Sequence, residues 1–85
     1  MPYRTELKPS AAKALGELPR RDQERVRNKI DALGVEPRAH GSKALQGEPG
    51  LLRVRVGDYR VIYTVEDDVL LVLVVRIAHR REAYR

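Results

Sequence analysis

The chain contains no cysteine. That excludes a disulfide framework and any thiolate metal site. Its two histidines, His40 and His79, lie far apart in sequence and make a poor metal set, so no cofactor is expected. Long hydrophobic runs are also missing. The longest apolar stretch, Val69 to Val75, is far too short to cross a bilayer, and the opening MPYRTE offers no apolar core for a signal peptide. Internal repeats and low-complexity segments are absent. These absences point to a cytoplasmic chain that makes no use of a membrane.

Negative charge is in the minority. Twelve acidic residues stand against seventeen Lys and Arg, for a net charge of +5. Such a balance favours a polyanionic partner, nucleic acid first among them, although solvated charge that keeps a small chain soluble is the alternative. Eighty-five residues suffice for a single domain, 1–85, with one core.

The N-terminal half reads as strand, helix, helix. Residues 3–8 are a strand candidate. Ser10, after Pro9, is a plausible N-cap for a helix over 11–18, with Ala12, Leu15 and Leu18 on one face. Pro19 ends that helix and opens a second over 20–33. There Val26, Ile30 and Leu33 follow i, i+4, i+7 spacing, and Gly34 fits a helix stop. Residues 35–50, rich in Gly and Pro, read as a loop with Leu45 as its anchor to the core. Three strands follow at 51–56, 59–65 and 69–77, joined by a tight Gly57-Asp58 turn and an acidic turn at 66–68. The fold class is therefore α+β: an N-terminal strand, a helical hairpin, then a three-stranded antiparallel meander. The expected sheet has four strands in the order 1-4-3-2, with both helices on one face.

If Gly57 and Asp58 form the turn, Arg55 faces Arg60 and Arg53 faces Ile62. Paired residues project to the same side of a sheet, as do alternate ones. Arg53, Arg55 and Arg60 then share one face, while Leu52, Val54, Val56, Val61 and Tyr63 meet the helices. Like charges directly opposite each other are unfavourable, so a sequence shaped for stability alone would break up the pair. The second hairpin has two possible registers. A three-residue loop sets Arg60 opposite Val74 and puts Arg76 and Arg80 on the cationic face; a two-residue loop flips them.

His79, Arg80 and Tyr84 follow the last strand. With the arginines they suit cleavage of RNA by its own 2′-hydroxyl. That reaction needs a base for the hydroxyl, positive charge on the phosphorane and an acid for the leaving oxygen. The guanidinium fork matches phosphate geometry. A tyrosine base must lose about three pKa units, or roughly 4 kcal/mol. One cation at about 4 Å supplies on the order of 4 kcal/mol at an effective dielectric of 20. His79 needs no such help and stays a rival base or acid.

The run from Arg53 to Tyr63 (RVRVGDYRVIY), the hydrophobic strand after it and the ending HRREAY over 79–84 resemble the RelE toxins of bacterial type II toxin–antitoxin systems, within the RelE/ParE superfamily. The likeness covers nearly the whole chain. It implies a metal-independent endoribonuclease that enters the ribosomal A site and cuts mRNA by 2′-hydroxyl attack, leaving a 2′,3′-cyclic phosphate and a 5′-hydroxyl. The family's catalytic positions fall on Arg53, Arg55, Arg60, Arg80 and Tyr84. Arg53 and Arg55 stand where the family often has lysines, and arginine is a poor proton donor. The implied partners are mRNA, the ribosome with its rRNA, and a RelB-type antitoxin. Arg20, Arg21, Arg25, Arg27, Lys29, Lys43 and Arg76 are the expected RNA and ribosome contacts. The rivals are a ParE-like inhibitor of DNA gyrase and a non-catalytic RNA- or ribosome-binding module.

Overall fold

The computed structural model describes residues 2–81. Strand β1 spans Arg4–Leu7. Helix α1 spans Pro9–Gly16 and α2 spans Arg20–Val35. Strands β2 (Lys43–Ala44), β3 (Leu52–Val56), β4 (Tyr59–Glu66) and β5 (Leu71–His79) follow. They form one sheet in the order β1-β5-β4-β3-β2. The sheet therefore has five strands and not the four expected in the order 1-4-3-2. The added strand, β2, is a two-residue edge piece paired to Leu52 and Arg53. It arises inside the segment read as loop, and so short a strand leaves no periodic signal in the sequence.

Both helices pack on one face. Ala11 and Leu15 of α1 and Val26, Ile30 and Leu33 of α2 meet Val54, Val61, Tyr63, Val72, Val74 and Ile77 in one buried cluster. Ala12, expected on that face, is exposed. The shift follows from where α1 begins. Pro9 takes the first helical turn, where its missing N–H is no loss, and Lys8, extended at φ −62° and ψ 153°, takes the cap position expected of Ser10. The side chain of Gln23 then donates to the Leu15 carbonyl at 3.1 Å, so α2 satisfies an end group of α1.

Gly34 does not stop α2, which runs on to Val35. It serves close approach instead. Tyr3 N–H donates to the Gly34 carbonyl at 2.6 Å, and a β-carbon at Gly34 would sit 2.9 Å from the Tyr3 carbonyl oxygen. The 36–42 segment is held by its own polar contacts and not by Leu45, which is only half-buried. Tyr63, fully buried, donates its hydroxyl to the Pro37 carbonyl at 2.7 Å. Arg38 makes a two-pronged contact with Asp67 at 2.8 and 3.2 Å, and Tyr3 donates to the same carboxylate at 2.6 Å.

The second hairpin departs most from expectation. The turn is longer than three residues: a 3-10 turn at Asp67–Val69 is followed by Leu70 in the left-handed region at φ 51°. The last strand accordingly starts at Leu71, and Arg60 lies opposite Ala78 instead of Val74. A bulge also intervenes, because Ile62 pairs with Arg76 while Tyr63 pairs with Val74. Val75 is the extra residue. It resets the alternation, so Val72, Val74 and Ile77 all reach the core while Arg76 turns to the open face.

Candidate functional site

Strand register builds the open face. Arg55 lies opposite Arg60, which lies opposite Ala78. One step along, Lys43, Arg53, Ile62 and Arg76 form a row across four strands. Ile62 and Ala78 are buried at 2% and 4% exposure, yet they stand outside the main core cluster. They sit among arginines, whose aliphatic stems suit the covering of apolar residues while the charged heads stay in water.

Two like-charged pairs thus stand directly opposite one another, Arg55 with Arg60 and Lys43 with Arg53. Among the described residues, no carboxylate lies within ion-pair distance of Lys43, Arg53, Arg55, Arg60 or Arg76. Other cations do find partners: Arg4 with Glu6, Arg25 with Asp22, Arg38 with Asp67 and Arg80 with Asp58. The open face therefore concentrates positive charge that the chain does not neutralise.

Arg80 joins this face from beyond β5. Its backbone N–H donates to the Asp58 carbonyl at 2.6 Å, which ties it to the tip of the β3–β4 hairpin. Its guanidinium lies 3.9 Å from the Asp58 carboxylate, both side chains being well exposed, so that pair holds the arginine only loosely. Arg55, Arg60 and Arg80 line a concavity of about 250 Å³ with Gly57, Asp58 and Tyr59.

His79 takes the other side. It pairs with Tyr59, and their rings meet edge to face at 5.2 Å between centroids. Its Nδ1 accepts the Arg81 N–H at 3.1 Å. Tyr59 packs partly against the core and donates to Asp22 at 3.3 Å. Burial, then the Asp22 charge, pushes its phenol pKa above the ordinary value. His79 thus stands with Tyr59 on the helix side of the sheet, and at the sheet end it lines a shallow concavity with Asp58, Arg80 and Arg81. Tyr84 lies outside the described residues.

The helix cations divide. Arg25 reaches the hairpin tip, where a β-carbon on Gly57 would lie 3.0 Å from its guanidinium. Lys29 is half-buried beside the sheet edge, while Arg20, Arg21 and Arg27 are exposed. His40, unpromising in the sequence as a metal ligand, has a place in the structure. It lines a second concavity of about 430 Å³ with Lys29, Gly41, Lys43, Arg53, Val54 and Arg55. The one local signal for it was Gly41, whose φ of +95° turns the chain there.

A β-meander with helices on one face and a concentration of arginines on the other is the arrangement expected of a small toxin of the RelE/ParE type. The family model for the ParE toxin of type II toxin–antitoxin systems matches residues 5–84, and the chain belongs to that family. It is similar to toxin RelG of Mycobacterium tuberculosis, at 30% identity over all of this chain and 99% of that protein. Among solved structures it resembles the archaeal RelE–RelB complex from Pyrococcus horikoshii, with a TM-score of 0.82 and 32% identity over 94% of this chain and 97% of that one. It also resembles the RelBE2 toxin–antitoxin complex from M. tuberculosis, with a TM-score of 0.84 and 30% identity over 94% and 93%. No described helix is long and apolar enough to cross a membrane.

Proposed function

We propose that this toxin is a metal-independent endoribonuclease that cuts mRNA in the ribosomal A site. The observation that carries the reading is the pair of directly opposed guanidinium groups, Arg55 and Arg60, with no carboxylate within ion-pair distance among the described residues, in a concavity shared with Arg80 and Asp58. Opposed like charges cost stability unless a ligand of the other sign neutralises them. A phosphodiester gaining charge in its transition state is such a ligand. In this mechanism the 2′-hydroxyl attacks the adjacent phosphorus, the P–O5′ bond breaks, and the leaving 5′-oxygen takes a proton from water, giving a 2′,3′-cyclic phosphate and a 5′-hydroxyl. Arg55, Arg60 and Arg80 stabilise the phosphorane oxygens, with Arg53 alongside. Tyr84 takes the 2′-hydroxyl proton. His79, directed to the helix side, is the weaker candidate for that step.

The similar proteins from P. horikoshii and M. tuberculosis are complexes with antitoxins. A RelB-type antitoxin that covers the basic face is the corresponding partner here. One observation favours a second reading: the matching family model is that of ParE, which on the resemblance alone suggests inhibition of DNA gyrase.

Primer extension on a translated message separates the two. Wild type should give discrete cuts. Arg60→Ala and Arg80→Ala should each lower cutting by roughly 10²–10³-fold, the usual effect of removing one transition-state donor, and Tyr84→Phe by roughly 10²–10⁴-fold, the usual effect of removing a general base. Full cutting by all three variants would remove the assigned roles. Gyrase-trapped DNA breaks without RNA ends would establish the rival.

A further inference from the structure

We propose that Lys29, His40 and Lys43, together with Arg53 and Arg55, form a second phosphate-binding subsite that grips the RNA backbone next to the position of cleavage. The proposal takes its ligand from the endoribonuclease reading and adds where the strand runs.

The subsite is the concavity of about 430 Å³ at the β3 edge, and none of its lining residues is acidic. Lys29 reaches it from α2, His40 and Lys43 from the segment before β3, and Arg53 and Arg55 from β3 itself. Four of these five are lysine or arginine, and none of the four has a carboxylate within ion-pair distance among the described residues. This differs from the hairpin-tip concavity, where Asp58 partly offsets Arg80.

The backbone builds the space. β2 pairs with β3 only at Leu52 and Arg53, so among the described residues no strand covers the outer edge from Val54 to Val56. Just before β2, the Ser42 N–H and hydroxyl both donate to the Ala39 carbonyl, at 3.0 and 2.8 Å. That turn sets His40 and Gly41 over the gap. Lys43 then emerges directly opposite Arg53 on the open face.

Arg55 lines both concavities. A backbone with one phosphate between Arg55, Arg60 and Arg80 can therefore place a neighbouring phosphate among Lys43, Lys29 and His40 without leaving positive ground. A single-stranded RNA segment is the occupant the geometry favours, because two cationic concavities that share Arg55 suit a flexible chain of repeated phosphates.

The test uses a short 2′-O-methyl RNA oligonucleotide, which lacks the attacking hydroxyl, with binding followed by fluorescence anisotropy across a salt series. Each lost phosphate contact should make the log–log salt slope shallower by about 0.7. The Lys29→Ala, Lys43→Ala double variant should lose about 1.4 and bind about tenfold or more weakly at low salt. Lys43→Gln, at a fully surface position, repeats the test for one contact and should lose about 0.7. Lys13→Ala, an exposed cation on α1, should leave the slope unchanged. A slope equal to wild type in both the double variant and Lys43→Gln would overturn the subsite, and so would an equal loss in Lys13→Ala. A wild type that binds the oligonucleotide through Lys29 and Lys43 but cuts no translated message would sustain the subsite while removing the cleavage reading.

Discussion

Gly57 and Gly34 lack side chains for opposite reasons. Gly57 bends the β3–β4 hairpin at φ +59°, a region where a β-carbon costs roughly 1–2 kcal/mol. The Arg25 guanidinium lies over it, but as the end of a flexible side chain it can move. Gly34 has ordinary helical geometry and no room, since backbone stands 2.9 Å from its would-be β-carbon. Gly57→Ala should therefore destabilise by about 1–2 kcal/mol, and adding Arg25→Ala should not restore the loss. Gly34→Ala should destabilise by about 1–3 kcal/mol as β1 is pushed from α2. Urea denaturation midpoints check both. A gain of about 1 kcal/mol at Gly34, the normal result of Gly→Ala inside a helix, would contradict the close approach of Tyr3.

At the level of elements, the site depends on segments that are individually weak. The 36–42 segment has no regular structure across most of its length, yet it delivers His40 to the sheet edge and leads into Lys43. Its main tie to the core is the Tyr63 hydroxyl on the Pro37 carbonyl. Tyr63→Phe keeps the packing volume and removes that bond. The variant should lose about 1 kcal/mol, with faster amide hydrogen exchange concentrated in 37–43 and little change in β4. Uniformly faster exchange would mean that the hydroxyl supports the whole sheet. The Val75 bulge acts over a similar range. By adding one residue to β5 it lets Val74 and Ile77 face the helices while Arg76 stands beside Ile62 on the open face.

For the molecule as a whole, charge and protonation set the pH range. Three tyrosines have pKa values raised on folding. Tyr63 is raised by burial, Tyr59 by burial and the Asp22 charge, and Tyr3 by its hydrogen bond to Asp67. A raised pKa means that the folded form holds its proton more tightly than the unfolded chain. Their contribution is complete below the ordinary tyrosine value of about 10 and is lost as pH climbs through the raised folded values. Melting temperature should thus fall on the alkaline side, and Tyr63→Phe should flatten part of that fall. Asp67 works in the other direction. Arg38 first, then Tyr3, holds its pKa down, so its share is present above the ordinary carboxylate range and is lost as pH falls through the depressed value. A pH series of thermal melts checks both limbs, and an alkaline limb identical in wild type and Tyr63→Phe would remove buried Tyr63 from the account.

The sequence by itself determined the helix stripe of Val26, Ile30 and Leu33 and the facing of Arg55 on Arg60. Periodicity and a two-residue turn are local properties, and they leave a single geometry. It also carried the family resemblance, because RVRVGDYRVIY is contiguous. Tertiary structure alone decided the second hairpin, where turn length, a left-handed Leu70 and the Val75 bulge together moved the register. Packing against the helices selects among registers that the local sequence leaves close in energy. It also decided that His79 meets the ring of Tyr59 on the helix side of the sheet, and that His40 and Lys29 meet at the β3 edge. Residues so far apart in the chain are brought together only by the closing of the core.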